Sequence, residues 1–135
     1  MIDAIDKDLY HRGPDAGGRL VQRGVALVHR RLSILDPVAA SNQPMTDDSG
    51  RFTIIFNGEI YNYRELQQAL AQSGVALHTD GDTETLLLGY RTWGEAVLDR
   101  LEGMYAFAIL DHQRGVVVAA RDPFGIKPLY LLRRK

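Results

Sequence analysis

The chain has 135 residues, enough for one domain with a real core, and 45% of them are hydrophobic. Its 16 basic residues nearly balance 17 acidic ones, for a formal charge of −1, so no electrostatic footprint for nucleic acid is present. With no cysteine, these residues can supply no disulfide, no thiolate nucleophile and no cysteine-ligated metal. The acidic start Met1-Ile2-Asp3-Ala4-Ile5-Asp6 lacks a signal-peptide core, and no apolar run approaches the roughly 18 residues of a membrane span. These features predict a soluble, cytoplasmic protein with neither membrane nor nucleic-acid partners. The only like-charge run, Arg133-Arg134-Lys135, reads as a solvated end.

In chain order, Gly13-Pro14-Asp15-Ala16-Gly17-Gly18 reads as a loop, because Gly and Pro punctuate regular structure. Gly24 to His29 reads as a strand. Apolar content continues through Leu32, Ile34 and Leu35 to Asp36-Pro37, and Val38 to Gly50 is polar and turn-rich, a predicted loop. Phe52-Thr53-Ile54-Ile55-Phe56, bounded by Gly50 and Gly58, predicts a buried strand. Asn62 with Glu65 forms a capping-box signature for a helix whose apolar face is Leu66, Ala69 and Leu70, with Gly74 placed to end it.

A second helix opens at Asp82-Thr83-Glu84, where acidic residues suit the positive end of the dipole, and its apolar face is Leu86, Leu87 and Tyr90. A third, shorter one is predicted from Glu95 to Leu101. Met104 to Leu110 and Val116 to Ala120 read as a hairpin joined by Asp111-His112-Gln113-Arg114-Gly115, apolar on both faces and so expected to be covered on both. Leu129 to Leu132 is a further predicted strand. The pattern is α+β, not regularly alternating.

Four motifs stand in order along the chain: His11-Arg12-Gly13-Pro14-Asp15; Arg31-Leu32-Ser33-Ile34-Leu35-Asp36; Asn57-Gly58-Glu59-Ile60-Tyr61-Asn62-Tyr63; and Arg121-Asp122-Pro123-Phe124-Gly125-Ile126-Lys127-Pro128-Leu129-Tyr130. Together they strongly resemble the glutamine-hydrolysing domain of the asparagine synthetase family, a class-II glutamine amidotransferase of the N-terminal-nucleophile hydrolases. The resemblance implies a four-layer αββα sandwich, with residues 1–135 as a partial glutamine amidotransferase type-2 domain. The Glu59-to-Asn62 continuation and the RLSIxD stretch point to asparagine synthetase-like proteins rather than phosphoribosyl or hexosamine relatives. Related carbohydrate-biosynthesis amidotransferases share these motifs and remain an alternative.

Hydrolysis of a glutamine side-chain amide needs a grip on the amino-acid end, donors for the developing oxyanion, and a nucleophile. Arg31 suits the α-carboxylate, because a guanidinium donates two parallel hydrogen bonds. Glu59 and Asp82 suit the α-ammonium. Asn57 and Gly58, at the end of a strand, suit the oxyanion. The resemblance assigns the same roles, and adds the backbone of Leu32 and Ile34 as lining of the L-glutamine pocket. Each residue alone has a plainer reading: Arg31 as an ion-pair arginine, Asp82 as a helix cap, Asn57-Gly58 as a turn. The histidines His11, His29, His78 and His112 show no close metal-ligand spacing and read as loop, strand-end or structural residues, so no metal is expected. Trp93, Tyr61 and Tyr63 read as packing residues.

The family is expected to open on a cysteine after the initiator Met, and this chain instead begins Met1-Ile2, with no thiol elsewhere. The resemblance therefore implies that the first strand with its nucleophile, the C-terminal strands and the synthetase domain with its ATP and Mg are all missing. In that case Met1 to Asp8 is the helix leading into the HRGPD motif. The chain alone is expected to bind without turning over, as a piece of a glutamine-hydrolysing enzyme that passes ammonia to aspartate. Two alternatives belong to other classes: a nucleophile-less amino-acid sensor, and an assembly module that forms a homodimer through an exposed sheet edge.

Overall fold

The computed structural model describes residues 1–22, 24–31 and 42–133. Its elements in chain order are α1 (Ile2–Leu9), β1 (Ala16–Gln22), β2 (Val25–Arg31), β3 (Met45–Thr46), β4 (Phe52–Ile60), α2 (Tyr63–Gln72), α3 (Asp82–Trp93), β5 (Gly103–Asp111) and β6 (Val116–Arg121). Single 3₁₀ stretches, Tyr10–Arg12 and Gly94–Arg100, follow α1 and α3, the second of them where a short third helix is predicted. Two antiparallel sheets result, β1-β2 and β3-β4-β5-β6.

Alternation along β4 and β5 sorts their side chains. Phe52, Ile54, Phe56 and Ile60 of β4, with Tyr105, Phe107 and Ile109 of β5, form one face and pack against Leu66 of α2 and Leu86, Leu87 and Tyr90 of α3. Each fully buried aliphatic side chain here contributes roughly 1.5–3 kcal/mol of burial free energy. Phe52 meets Tyr90 edge-on at 5.6 Å between ring centres. The other face of the large sheet looks toward β2, and α1 covers the outside of the small sheet. The layers run helix, sheet, sheet, helices, as the αββα expectation has it.

The small sheet is tied to α1 by charge more than by burial. No residue of α1 is buried, but Asp6 takes a two-pronged bond from Arg30, both arms 2.7 Å, and Asp3 takes one from Arg19.

Several expectations change. The loop predicted over Gly13 to Gly18 is half strand: β1 begins at Ala16 and pairs residue by residue with β2. Its glycines are there for close approach, since a Cβ on Gly18 would lie 2.0 Å from the Gln43 carbonyl oxygen. The buried strand does not stop at Phe56. It continues through Asn57-Gly58 to Ile60 because β5 pairs with it along its whole length. The predicted loop before it contains the two-residue β3.

Asn62 does precede α2, but its side chain does not close a capping box. It donates to the Arg100 carbonyl (2.8 Å) and accepts from the Glu102 N–H (3.0 Å), fastening the helix start to the approach to β5. Gly74 ends α2 at φ +78°, as predicted. Strand β6 is an edge with Val116 and Val117 exposed, so the hairpin is not covered on both sides. Leu129 to Leu132 is not a strand. No described strand lies beside it, and β propensity without a partner for the backbone does not make a ladder. Leu32, Ile34, Leu35 and the start of the predicted loop fall outside the described residues.

Candidate functional site

The site grows out of the backbone of β4. Strand β3 covers only its first part, so beyond Ile54 one edge of β4 faces no described strand. Even-numbered residues point their peptide groups to that edge: the Phe52 carbonyl accepts from the Asp47 N–H there, at 3.0 Å. Further along, side chains take the place of a described neighbour. The Phe56 N–H donates to Gln43 Oε1, the Phe56 carbonyl accepts from His29 Nε2–H at 3.1 Å, and the Ile60 N–H donates to Asp82 Oδ2 at 3.0 Å.

Gly58 sits between these pinned groups, and the same alternation turns its N–H to the open edge. The opposite strand agrees. Tyr105, paired with Gly58, gives its own N–H to Asp122 Oδ2 (3.2 Å) and receives the Asp122 N–H on its carbonyl (2.8 Å). Neither Tyr105 group is left for Gly58. Glycine is required at this point: a Cβ would lie 2.1 Å from the Met104 carbonyl oxygen, and φ is +155°.

Beside this edge lies a cleft of about 520 Å³ between the sheets, lined by Asn57 of β4, Ala106 and Ala108 of β5, Val28 and His29 of β2, and Leu9 of α1. Small alanines opposite β2 leave this space open. Asn57 is exposed to it. His11 and Arg12 of the HRGPD motif also reach its wall, and Gly13 brings that turn against β2, where a Cβ would meet the Arg30–Arg31 peptide at 2.5 Å.

Charge is arranged around the same edge. Burial holds the His29 imidazole below its ordinary pKa, its bond to Phe56 opposes that, and the nearby Arg31 charge lowers it further. The ring is therefore neutral at pH 7 and protonated on Nε2. Asp82, the first residue of α3, is pushed above the ordinary carboxyl value, chiefly by burial; bonds from the Ile60 and Thr83 N–H groups oppose this, and the neighbouring Glu59 charge adds to it. The Glu59 and Asp82 carboxylates are thus close enough to interact, and the second is held at a cost by burial.

The predicted residues fall into two groups. Asn57, Gly58 and Glu59 are consecutive on β4, and Asp82 is bonded to the residue after them. Arg31 comes from the other sheet, as the last residue of β2 opposite Ala16 and bridged to Pro14. Leu32 and Ile34 lie outside the described residues. Gln43, read as loop, and His29, read as a strand end, are additions that no local pattern marks. Asp122, inside the last motif but given no role from sequence, is a third. Buried at 1% exposure, it also collects the Ile126 and Lys127 N–H groups. Among the described residues no three histidine or acidic side chains converge as metal ligands, and no helix is long and apolar enough to cross a membrane.

Two packed antiparallel sheets flanked by helices make up the fold, with the Asn57-Gly58 pair on an edge of β4 that faces no described strand. A solved structure shares it: glutamine phosphoribosylpyrophosphate amidotransferase from B. subtilis, in complex with ADP and GMP, superposes with a TM-score of 0.63 at 26% identity, covering 76% of this chain and 24% of that one. The family model described as "Glutamine amidotransferase domain" matches residues 1–135, and the chain belongs to that family. Its relatives include glutamine-hydrolysing asparagine synthetase 1 of Bacillus subtilis, 45% identical over 130 residues, covering 96% of this chain and 20% of that protein. Another is a putative glutamine-hydrolysing asparagine synthetase of Mycobacterium tuberculosis, 47% identical over 133 residues, covering 91% of this chain and 20% of that protein. The chain thus spans about a fifth of the length of the curated relatives it matches. Their names agree with the placement drawn from the Glu59-to-Asn62 continuation.

Proposed function

We propose that this chain is the glutamine-gripping and oxyanion-stabilising part of a glutaminase that serves an asparagine synthetase-type reaction. Arg31 holds the α-carboxylate, and Glu59 with Asp82 holds the α-ammonium. The Asn57 side-chain amide and the Gly58 N–H receive the oxygen of the side-chain amide as it gains charge. A nucleophile must then attack the amide carbon and expel ammonia, which in the longer protein goes to an aspartate carboxyl activated by a synthetase domain with ATP and Mg. No thiol lies among these 135 residues, so the chain by itself binds glutamine and releases no ammonia.

The observation that carries this reading is the edge of β4. Gly58 presents its N–H there beside Asn57, and the Ile60 N–H two residues on is held by the carboxylate proposed for the ammonium. Preorganised donors of this kind are the largest single contribution in acyl-transfer sites. Isothermal titration tests it: the chain binds L-glutamine, and Arg31→Ala weakens binding by about 10-fold or more, the loss of a charge-assisted contact. Equal affinity in the two proteins would overturn the proposal.

A further inference from the structure

Gln43 lies in a stretch read from sequence as featureless loop, yet its side chain touches two separate parts of the site. Its oxygen accepts the Phe56 N–H, one residue before Asn57, and its NH₂ group reaches Thr83 Oγ1 at 3.4 Å, one residue after Asp82. The orientation of the amide is dictated chemically. The Phe56 N–H can only donate, so the oxygen must face it, and the nitrogen is left for the threonine hydroxyl. Thr83 is itself buried. The Gln43 backbone is seated against β1, where Gly18 leaves room for its carbonyl.

The consequence is geometric. The direction of the Gly58 N–H depends on how the Phe56–Gly58 peptides are held, and the position of the Asp82 carboxylate depends on the first turn of α3. One side chain spans both. Under the glutamine reading, these are the places for the two ends of the ligand: the γ-carbonyl oxygen and the α-ammonium.

We propose that Gln43 is a positioning and specificity-determining residue, which sets the spacing between the oxyanion donors and the ammonium-binding carboxylates and so selects glutamine over its shorter homologue asparagine. The proposal rests on the glutamine reading above. One methylene separates the two amino acids, and a rigid site tells them apart only if its two ends cannot approach one another. A merely structural Gln43 would weaken both ligands alike.

The test measures L-glutamine and L-asparagine affinities by titration for the unaltered chain, Gln43→Leu and Thr83→Val, together with amide hydrogen exchange at Phe56 without ligand. The unaltered chain prefers glutamine. Gln43→Leu lowers glutamine affinity roughly 10-fold, about one hydrogen bond's worth, leaves asparagine affinity nearly unchanged, and speeds Phe56 exchange. Thr83→Val keeps the bond to Phe56 and loses the link to α3. It narrows the preference while Phe56 stays protected, and it keeps the test decisive if Gln43→Leu fails to fold. An unchanged preference, or an equal loss for both ligands, overturns the proposal. Absence of any glutamine binding by the unaltered chain overturns the functional reading and the specificity claim together. Phe56 exchange reads the clamp independently of either.

Discussion

The two faces of the large sheet are built for opposite purposes. Toward α2 and α3, β4 and β5 present Ile54, Phe56, Ile60, Tyr105, Phe107 and Ile109, interlocked and almost wholly buried. Toward β2, the same strands present Ile55, Asn57, Ala106 and Ala108 around a cleft. The first face repays the entropy of folding by excluding water. The second leaves space, and the backbone edge beside it is held by single side chains from distant parts of the chain instead of by a strand. The buried core and the proposed binding face are thereby separated across one sheet, only a residue apart in sequence. Substitutions at neighbouring positions of β4 should therefore fail in different ways.

The largest effect is expected on the closed face. Ile54 is fully buried, so Ile54→Ala should cost about 2–5 kcal/mol in urea unfolding, enough to threaten the fold itself. Gly58→Ala tests the junction of the two regimes. Its methyl group would collide with the Met104 carbonyl, a backbone atom that cannot turn aside, so it should cost about 1–3 kcal/mol and abolish glutamine binding even where the fold survives. Neutral behaviour at Gly58 would break the close-approach argument.

Asp82→Asn sharpens the comparison with a smaller effect of the opposite sign. Burial raises the folded pKa of Asp82 above its ordinary 3.8, so between those two values the native state binds more protons than the unfolded chain. Stability contributed by this group falls as pH rises through that window, and at pH 7 the ionised carboxylate is a net cost. The neutral isostere can still accept the Ile60 N–H. Asp82→Asn should therefore raise Tm at pH 7 by about 2–4 °C while weakening L-glutamine about 10-fold or more. In the unaltered chain, glutamine affinity should fall as pH drops through the raised Asp82 pKa, because an ammonium needs the carboxylate charged. Calorimetry with the ligand-free protein and titration across pH check both halves.

The elements that sequence made legible are those whose signals are local. β4's apolar run, the periodic faces of α2 and α3, and the glycine-linked hairpin all carry their pattern within ten or twelve residues. β1 was hidden because Gly17 and Gly18, which make room for the Arg30 side chain and the Gln43 carbonyl respectively, look like a turn. The continuation of β4 through Asn57-Gly58 was hidden because that dipeptide ordinarily marks a reversal, and only pairing with β5, about fifty residues on, keeps it extended. Leu129 to Leu132 erred the other way, with strand-like residues that have no described neighbour. At the site, the motifs marked Arg31, Asn57, Gly58 and Glu59, and the need for an ammonium-binding carboxylate, with the resemblance, marked Asp82. Gln43 and His29 were missed because each works across at least thirteen residues of sequence, on backbone groups that no side-chain pattern reveals. Asp122 stood inside the last motif, but its bond to the Tyr105 N–H of β5 is long-range and no local pattern reveals it.

The central claim is that the open edge of β4 at Asn57-Gly58 and the carboxylate at the start of α3 form one glutamine site. A residue-resolved NMR titration of the ¹⁵N-labelled chain with L-glutamine tests it most directly. The account predicts saturable shifts of the Gly58, Ile60 and Thr83 amides and the Asn57 side-chain NH₂, sharing one dissociation constant, while Val116 and Val117 on the far edge stay still. Shifts confined to the hairpin, or none at Gly58 and Ile60 at saturating glutamine, would contradict it.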